Sequence, residues 1–114
     1  MANSAHTTTL EKTDGQLGTV GKLRAKRAKI TFGSDYAAAV LPLIKASEFG
    51  LGDVRAVIVE GAASGTAVGA SVVPALTTAG GPSSTFTLAL FNGTTAIGTV
   101  DESATTCQIT VLGY

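Results

Sequence analysis

The segment STFTLALFNGTTAIGTV, residues 84–100, constrains the fold more than any other. Phe86, Leu88 and Leu90 alternate with Thr85, Thr87 and Ala89. Strand side chains point to opposite faces with a period of two, so this spacing makes one face apolar and the other polar. Asn92-Gly93 follows at once. That dipeptide tolerates the positive φ angles of tight hairpin turns and is the strongest short-range hairpin signal. Residues 96–100 then read as the return strand.

The rest of the chain adds strands and little helix. TCQITVLGY (106–114) places Cys107, Ile109 and Val111 on one face. DVRAVIVEG (53–61) is a β-branched strand ended by Gly61. A weaker strand is expected at 66–73, where Pro74 restricts it to an edge or an end because proline donates no ladder hydrogen bond. Gly33-Ser34-Asp35 is a turn signal. Pro42 keeps Leu41 extended and argues against a helix through AAAVLPLI. Ala46 to Phe49 fits about one helical turn, with Gly50 as its left-handed stop. Residues 77–84 and 101–105 read as loop and turn. Six or so short strands separated by turns predict an all-β fold, a small antiparallel sandwich or barrel.

Residues 1–21 read differently. They are rich in Thr, Gly and Asn and carry no apolar period, and Gly15, Gly18 and Gly21 fall three apart. The spacing disfavours helix and strand alike, so an extended N-terminal arm (1–21) is expected ahead of a single β domain (22–114). Half of the chain is Ala, Gly, Ser or Thr, and there is no Trp. At roughly 25 cal/mol per Å2 of apolar area, such side chains contribute little each. A modest core predicts stability shared with a partner or with other copies of the chain. No apolar run approaches the ~20 residues of a helical membrane span. The polar N-terminus lacks the apolar stretch of a secretory signal, which predicts synthesis in a cytosol.

Charge is unevenly placed. Net charge is zero, yet five of the eight basic residues (Lys22, Arg24, Lys26, Arg27 and Lys29) fall in GKLRAKRAKITF, which has no acid. Lys22, Arg24 and Lys26 share one strand face. Ala28, Ile30 and Phe32 then form the apolar set in what reads as the opposite phase, so a bulge or strand break is expected near Arg27. Three uses compete for the cations: blunting an exposed edge strand, docking on an acidic protein surface, and binding nucleic acid. Single-strand binding wants interleaved aromatic platforms, and residues 22–31 have none. A membrane-surface role wants an amphipathic helix with bulky apolar residues, which the segment lacks.

Chemistry-bearing residues are sparse. His6, the single histidine, lies in the arm, and Cys107 has no other Cys or His beside it. Cys107 reads as a small buried hydrophobe. Zinc needs several Cys and His at close spacing, and the sequence has no such set. Glu48 and Asp53 flank a Gly-rich turn, and Asp101-Glu102 fall in a loop, where solvated acids are the ordinary case. GAASGT (61–66) shares only glycines with a phosphate loop. No catalytic, cofactor-binding or metal-binding residue is expected, and an enzyme is not the reading.

Residues 26–61, KRAKITFGSDYAAAVLPLIKASEFGLGDVRAVIVEG, carry a resemblance. A basic strand is followed by Thr31-Phe32 and Tyr36, a short apolar stretch with Leu43, then Ala46 and Phe49-Gly50-Leu51, then a β-branched strand. This order resembles small virion structural proteins of tailed bacteriophages, of the capsid decoration (cement) type. The likeness covers roughly residues 20–61 and, loosely, the terminal strand ITVLGY. It departs at 37–40, where AAAV replaces a Pro-Thr-Gly-Gly run, and at Lys45, which replaces Thr. Residues 62–84 do not match. The resemblance implies a non-enzymatic protein on the exterior of an icosahedral capsid. Its partners would be the major capsid protein and other copies of itself, with no nucleic acid, membrane, small-molecule substrate or cofactor. Lys22, Arg24, Lys26, Arg27 and Lys29, with the arm, would supply capsid or inter-copy contacts. The alternatives are a tail or fibre module that binds a host glycan and a single-stranded nucleic-acid-binding barrel.

Overall fold

The computed structural model describes residues 4–11, 16–37, 41–65, 69–78, 83–93, 95–97 and 102–114. Among them, nine strands form two antiparallel sheets: β1 (His6–Leu10), β2 (Gln16–Val20), β3 (Leu23–Phe32), β4 (Leu43–Lys45), β5 (Val54–Val59), β6 (Ser71–Leu76), β7 (Thr85–Asn92), β8 (Thr95–Ala96) and β9 (Thr106–Gly113). The expected helical turn is present as a 3-10 turn at Ala46–Phe49, and Gly50 closes it at φ 71°, ψ 24°. The all-β expectation holds.

In the larger sheet the order is β1-β3-β9-β5. β2 pairs with residues 23–26 of β3 and β1 with residues 28–32, so the two lie end to end along one edge of β3. The smaller sheet has the order β4-β7-β6, and β8 pairs with β7 beyond β4. Both sheets turn their alternating apolar residues to one core. Ala28, Ile30 and Phe32 of β3 and Cys107, Ile109 and Val111 of β9 pack in a single buried cluster with Ile44, Val72, Phe86, Leu88 and Leu90 of the other sheet. Burial raises the Cys107 thiol pKa to about 12, which suits a packed apolar group rather than a nucleophile.

Aromatic residues join the sheets. Phe32 meets Tyr36 edge to face, with ring centroids 5.6 Å apart. Phe49, on the 3-10 turn, stacks on Phe86 at 6.1 Å. The Tyr36 hydroxyl accepts the Leu90 N–H at 2.7 Å. Leu90 lies between the stretches of β7 that β4 and β8 cover. Tyr36 therefore satisfies a main-chain donor that no strand reaches.

The structure corrects several expectations. Residues 6–10 and 16–20 are strands, despite the glycine spacing, because β3 offers them a full edge to pair with. β3 runs without a bulge or break at Arg27, since each residue from Arg24 to Thr31 has a consecutive partner in β9. Among the described residues, the register shifts of this sheet fall in its neighbours, between Gln16 and Gly18 and between Val54 and Ala56. The inner phase of Phe32, Ile30 and Ala28 simply continues to Lys26, which is 6% exposed. A lysine stem can occupy an apolar position while its head reaches polar groups. β3 is also an interior strand, so its charges do not blunt an edge.

Smaller corrections concern boundaries. β6 spans Ser71–Leu76 rather than 66–73, and residues 66–68 lie outside the described set. Pro74 sits within β6, which is an edge strand as proline requires. Asn92 pairs with Thr95 and belongs to the hairpin strand, with Gly93 at φ 67° in the turn. Of the expected return strand at 96–100, residues 98–100 lie outside the described set, as do 38–40 and 79–82. Glu102, expected to be a solvated turn acid, is 1% exposed and accepts a hydrogen bond from the Thr105 hydroxyl.

Candidate functional site

The outer side of the larger sheet presents a continuous face. Cross-strand pairing sets Thr7, Thr31 and Thr106 in one row and Thr9, Lys29 and Gln108 in the next. Arg27, Thr110 and Ile58 form the row beyond. Ser64 extends the first row, its hydroxyl 2.8 Å from that of Thr106. Short side chains dominate. Covering them orders few rotamers, so such a face can bury area against a partner at low entropic cost.

The five cations of the basic segment do not share this face. Lys22 and Lys29 are exposed. Arg24 and Lys26 share a parity, as the alternation predicts, but it is the parity of the core residues. Arg24 turns its guanidinium to two main-chain oxygens, Gly50 O and Tyr114 O, each at 3.0 Å. Lys26 is buried. The expected single cationic surface of Lys22, Arg24 and Lys26 is therefore corrected. Arg27 lies on the outer face, held by Glu11 at 2.6 Å and by Glu60 at 2.9 Å. Thr110 donates to the same Glu60 carboxylate at 2.7 Å. The hydrogen bond from Arg27, with that of Thr110, holds the Glu60 carboxyl below its usual range. Two acids around one arginine leave this cluster without surplus positive charge.

A second cluster fastens β1 to the 3-10 turn. His6 Nε2 lies 2.8 Å from Glu48 Oε1, and the Thr8 hydroxyl donates to the same oxygen. The Lys45 N–H donates to Glu48 Oε2 at 2.9 Å. Burial pushes the Glu48 carboxyl up, but the bonds from Thr8, Lys45 and His6 outweigh it and hold the group below its ordinary value. At the N-terminal end, the Ala5 N–H donates to Asp35 Oδ1 at 2.9 Å. In the sequence, His6 lies in the arm and Glu48 flanks a turn, and nothing local sets the two together. A usable signal was present: Glu48 stands three residues after the residue that opens the turn, where a carboxylate can take that residue's N–H.

Among the described residues no three His, Cys, Asp or Glu side chains gather as a metal site requires. A shallow groove of about 510 Å3 beside the 3-10 turn is lined by Lys45, Ser47, Gly52 and Ser84, among others, and Lys45 is the single ionisable side chain among its described lining residues. Phe32, Tyr36, Phe49 and Phe86 are buried in the core, so they form no platform for a sugar or a base. The exposed Tyr114 ring lies against the Arg55 guanidinium, 4.9 Å from its centroid.

Comparison with protein-family models, curated proteins and solved structures finds no match to this chain.

Proposed function

We propose that this chain is a non-enzymatic virion protein that binds the outer surface of an icosahedral bacteriophage capsid and cements contacts between major capsid proteins. The observation that carries the reading is the sequence likeness over residues 20–61. Its landmark residues are also those that build the sandwich: Phe32 and Tyr36 bridge to Leu90, Phe49 stacks on Phe86, and Gly50 closes the turn.

The geometry suits adhesion. Cementing needs area, spread over many copies, more than it needs a pocket. The Thr-rich outer face offers area, and Lys22 and Lys29 are the exposed cations of the basic segment. Stabilisation follows from mass action, because each bound copy favours the assembled shell over its separated parts. Arg24 and Arg27 are engaged within the chain and Lys26 is buried, so the exposed lysines are the first of the five cations to test.

The test is charge reversal at the exposed pair. Lys22→Glu with Lys29→Glu should lower occupancy on shells while the melting temperature of the free protein stays within a degree or so. Unchanged occupancy removes these lysines from the contact.

A further inference from the structure

We infer that β1 is an acid-released strap: in acid it leaves β3 while the two sheets stay folded, and residues 5–11 become the extended arm that their sequence suggests. The inference does not depend on the capsid reading.

Little apolar packing holds β1. Among the described residues its one strand partner is β3. No residue of β1 belongs to the buried core cluster, and Leu10, its one large apolar side chain, packs against that cluster only partly buried. A set of carboxylates fastens the strand instead. Asp35 takes the Ala5 N–H with both oxygens, at 2.9 and 3.2 Å. Glu48 meets His6 Nε2 and the Thr8 hydroxyl with one oxygen. Glu11, just past the strand, pairs with Arg27 at 2.6 Å. Among the described residues, each side-chain anchor of residues 5–11 thus contains an acid. β2 is tied to β3 differently, through the tight turn at Gly21-Lys22 that sets Val20 opposite Leu23.

The anchors differ in strength. Asp35 is exposed, and the Glu11 and Arg27 side chains are 33% and 34% exposed, where such pairs contribute little. The His6 and Glu48 side chains are more sheltered, at 13% and 26%, so Glu48 is the main latch. Burial pushes its carboxyl up, but the bonds from Thr8, Lys45 and His6 hold it below its ordinary value. The latch is therefore fully present above the unfolded value and is lost as pH falls through the folded one. Among the described residues, His6 is the titratable side chain that faces Glu48. Arg27 faces Glu11 and is shared with Glu60. A histidine gains its proton before a carboxylate does. Falling pH first sets a charged His6 against a charged Glu48, which tightens the latch. Release follows when Glu48 is protonated, because a neutral carboxyl accepts hydrogen bonds more weakly than a carboxylate.

Amide hydrogen exchange of the full chain, followed by NMR across a pH series, tests this, with each rate divided by its intrinsic value at that pH. β3 carries its own control. The Glu11 N–H donates to Arg27 O, and the Phe32 N–H to Thr105 O. Main-chain groups alternate sides along a strand, so Lys29 and Thr31 turn their N–H groups to β1, and Ala28 and Ile30 turn theirs to β9. The expected result is that Lys29 and Thr31, with Thr7 and Thr9 of β1, lose protection about tenfold or more between about pH 5 and pH 3, while Ala28 and Ile30 keep theirs. Glu48→Gln, whose side chain does not titrate, should lose most of that response. Protection of Lys29 and Thr31 that holds throughout the window, loss at Ala28 and Ile30 in step with them, or a full response in Glu48→Gln would each overturn the inference.

Discussion

The Tyr36 hydroxyl accepts the Leu90 N–H at 2.7 Å, in the interval of the β7 edge between β4 and β8. Tyr36 is 1% exposed and Leu90 is fully buried, so water does not replace this bond. Tyr36→Phe keeps the edge-to-face contact with Phe32 and leaves the donor unpaired. An unsatisfied buried donor costs about 1–3 kcal/mol. Urea unfolding should show a free energy lower by that amount, read as a lower midpoint with an unchanged slope.

Glu48 links stability to pH. Its folded carboxyl pKa is lowered, so the unfolded state binds the proton more readily. The contribution is fully present above the unfolded value of about 4.3 and is lost as pH falls through the folded one. Wild type should therefore lose more stability than Glu48→Gln between about pH 5 and pH 3. Melting curves across that window check it. Parallel curves would mean that the His6, Thr8 and Lys45 contacts do not bias the proton.

Gly113 is fixed by close approach rather than by its own dihedral. A Cβ there would lie 2.0 Å from the Asp53 carbonyl oxygen, whereas one at Gly52 would find Tyr114 O at an ordinary 3.8 Å. Gly113→Ala must push β5 from β9, and overpacking of this kind costs about 1–3 kcal/mol or more. Gly52→Ala should be near neutral. Denaturant midpoints of the two variants should differ in that order.

The sequence made the β class legible because period-two alternation is local. Phe86, Leu88 and Leu90, and Cys107, Ile109 and Val111, needed no knowledge of their partners. The 3-10 turn was legible for the same reason, since Gly50 marks its stop. What failed was non-local. The glycines of residues 15–21 predict no strand, yet β3 supplies the missing partner edge. Lys26 looked like a solvent-facing cation because its charge outweighed its phase. Glu102 looked solvated because turn residues usually are. Arg24 and Arg27 looked available because their acceptors, Tyr114 and Glu60, lie far along the chain. The candidate contact surface is the least legible part, as it depends on which cations the fold consumes.

The central claim is best tested by copy number. Particles produced from the genome that carries this gene should be purified intact, and the chain quantified against the major capsid protein by mass spectrometry. The account predicts a fixed occupancy comparable to that of the major capsid protein, on the shell exterior, together with shells that withstand more heat than shells lacking the chain. A few copies per particle, or none, would contradict it.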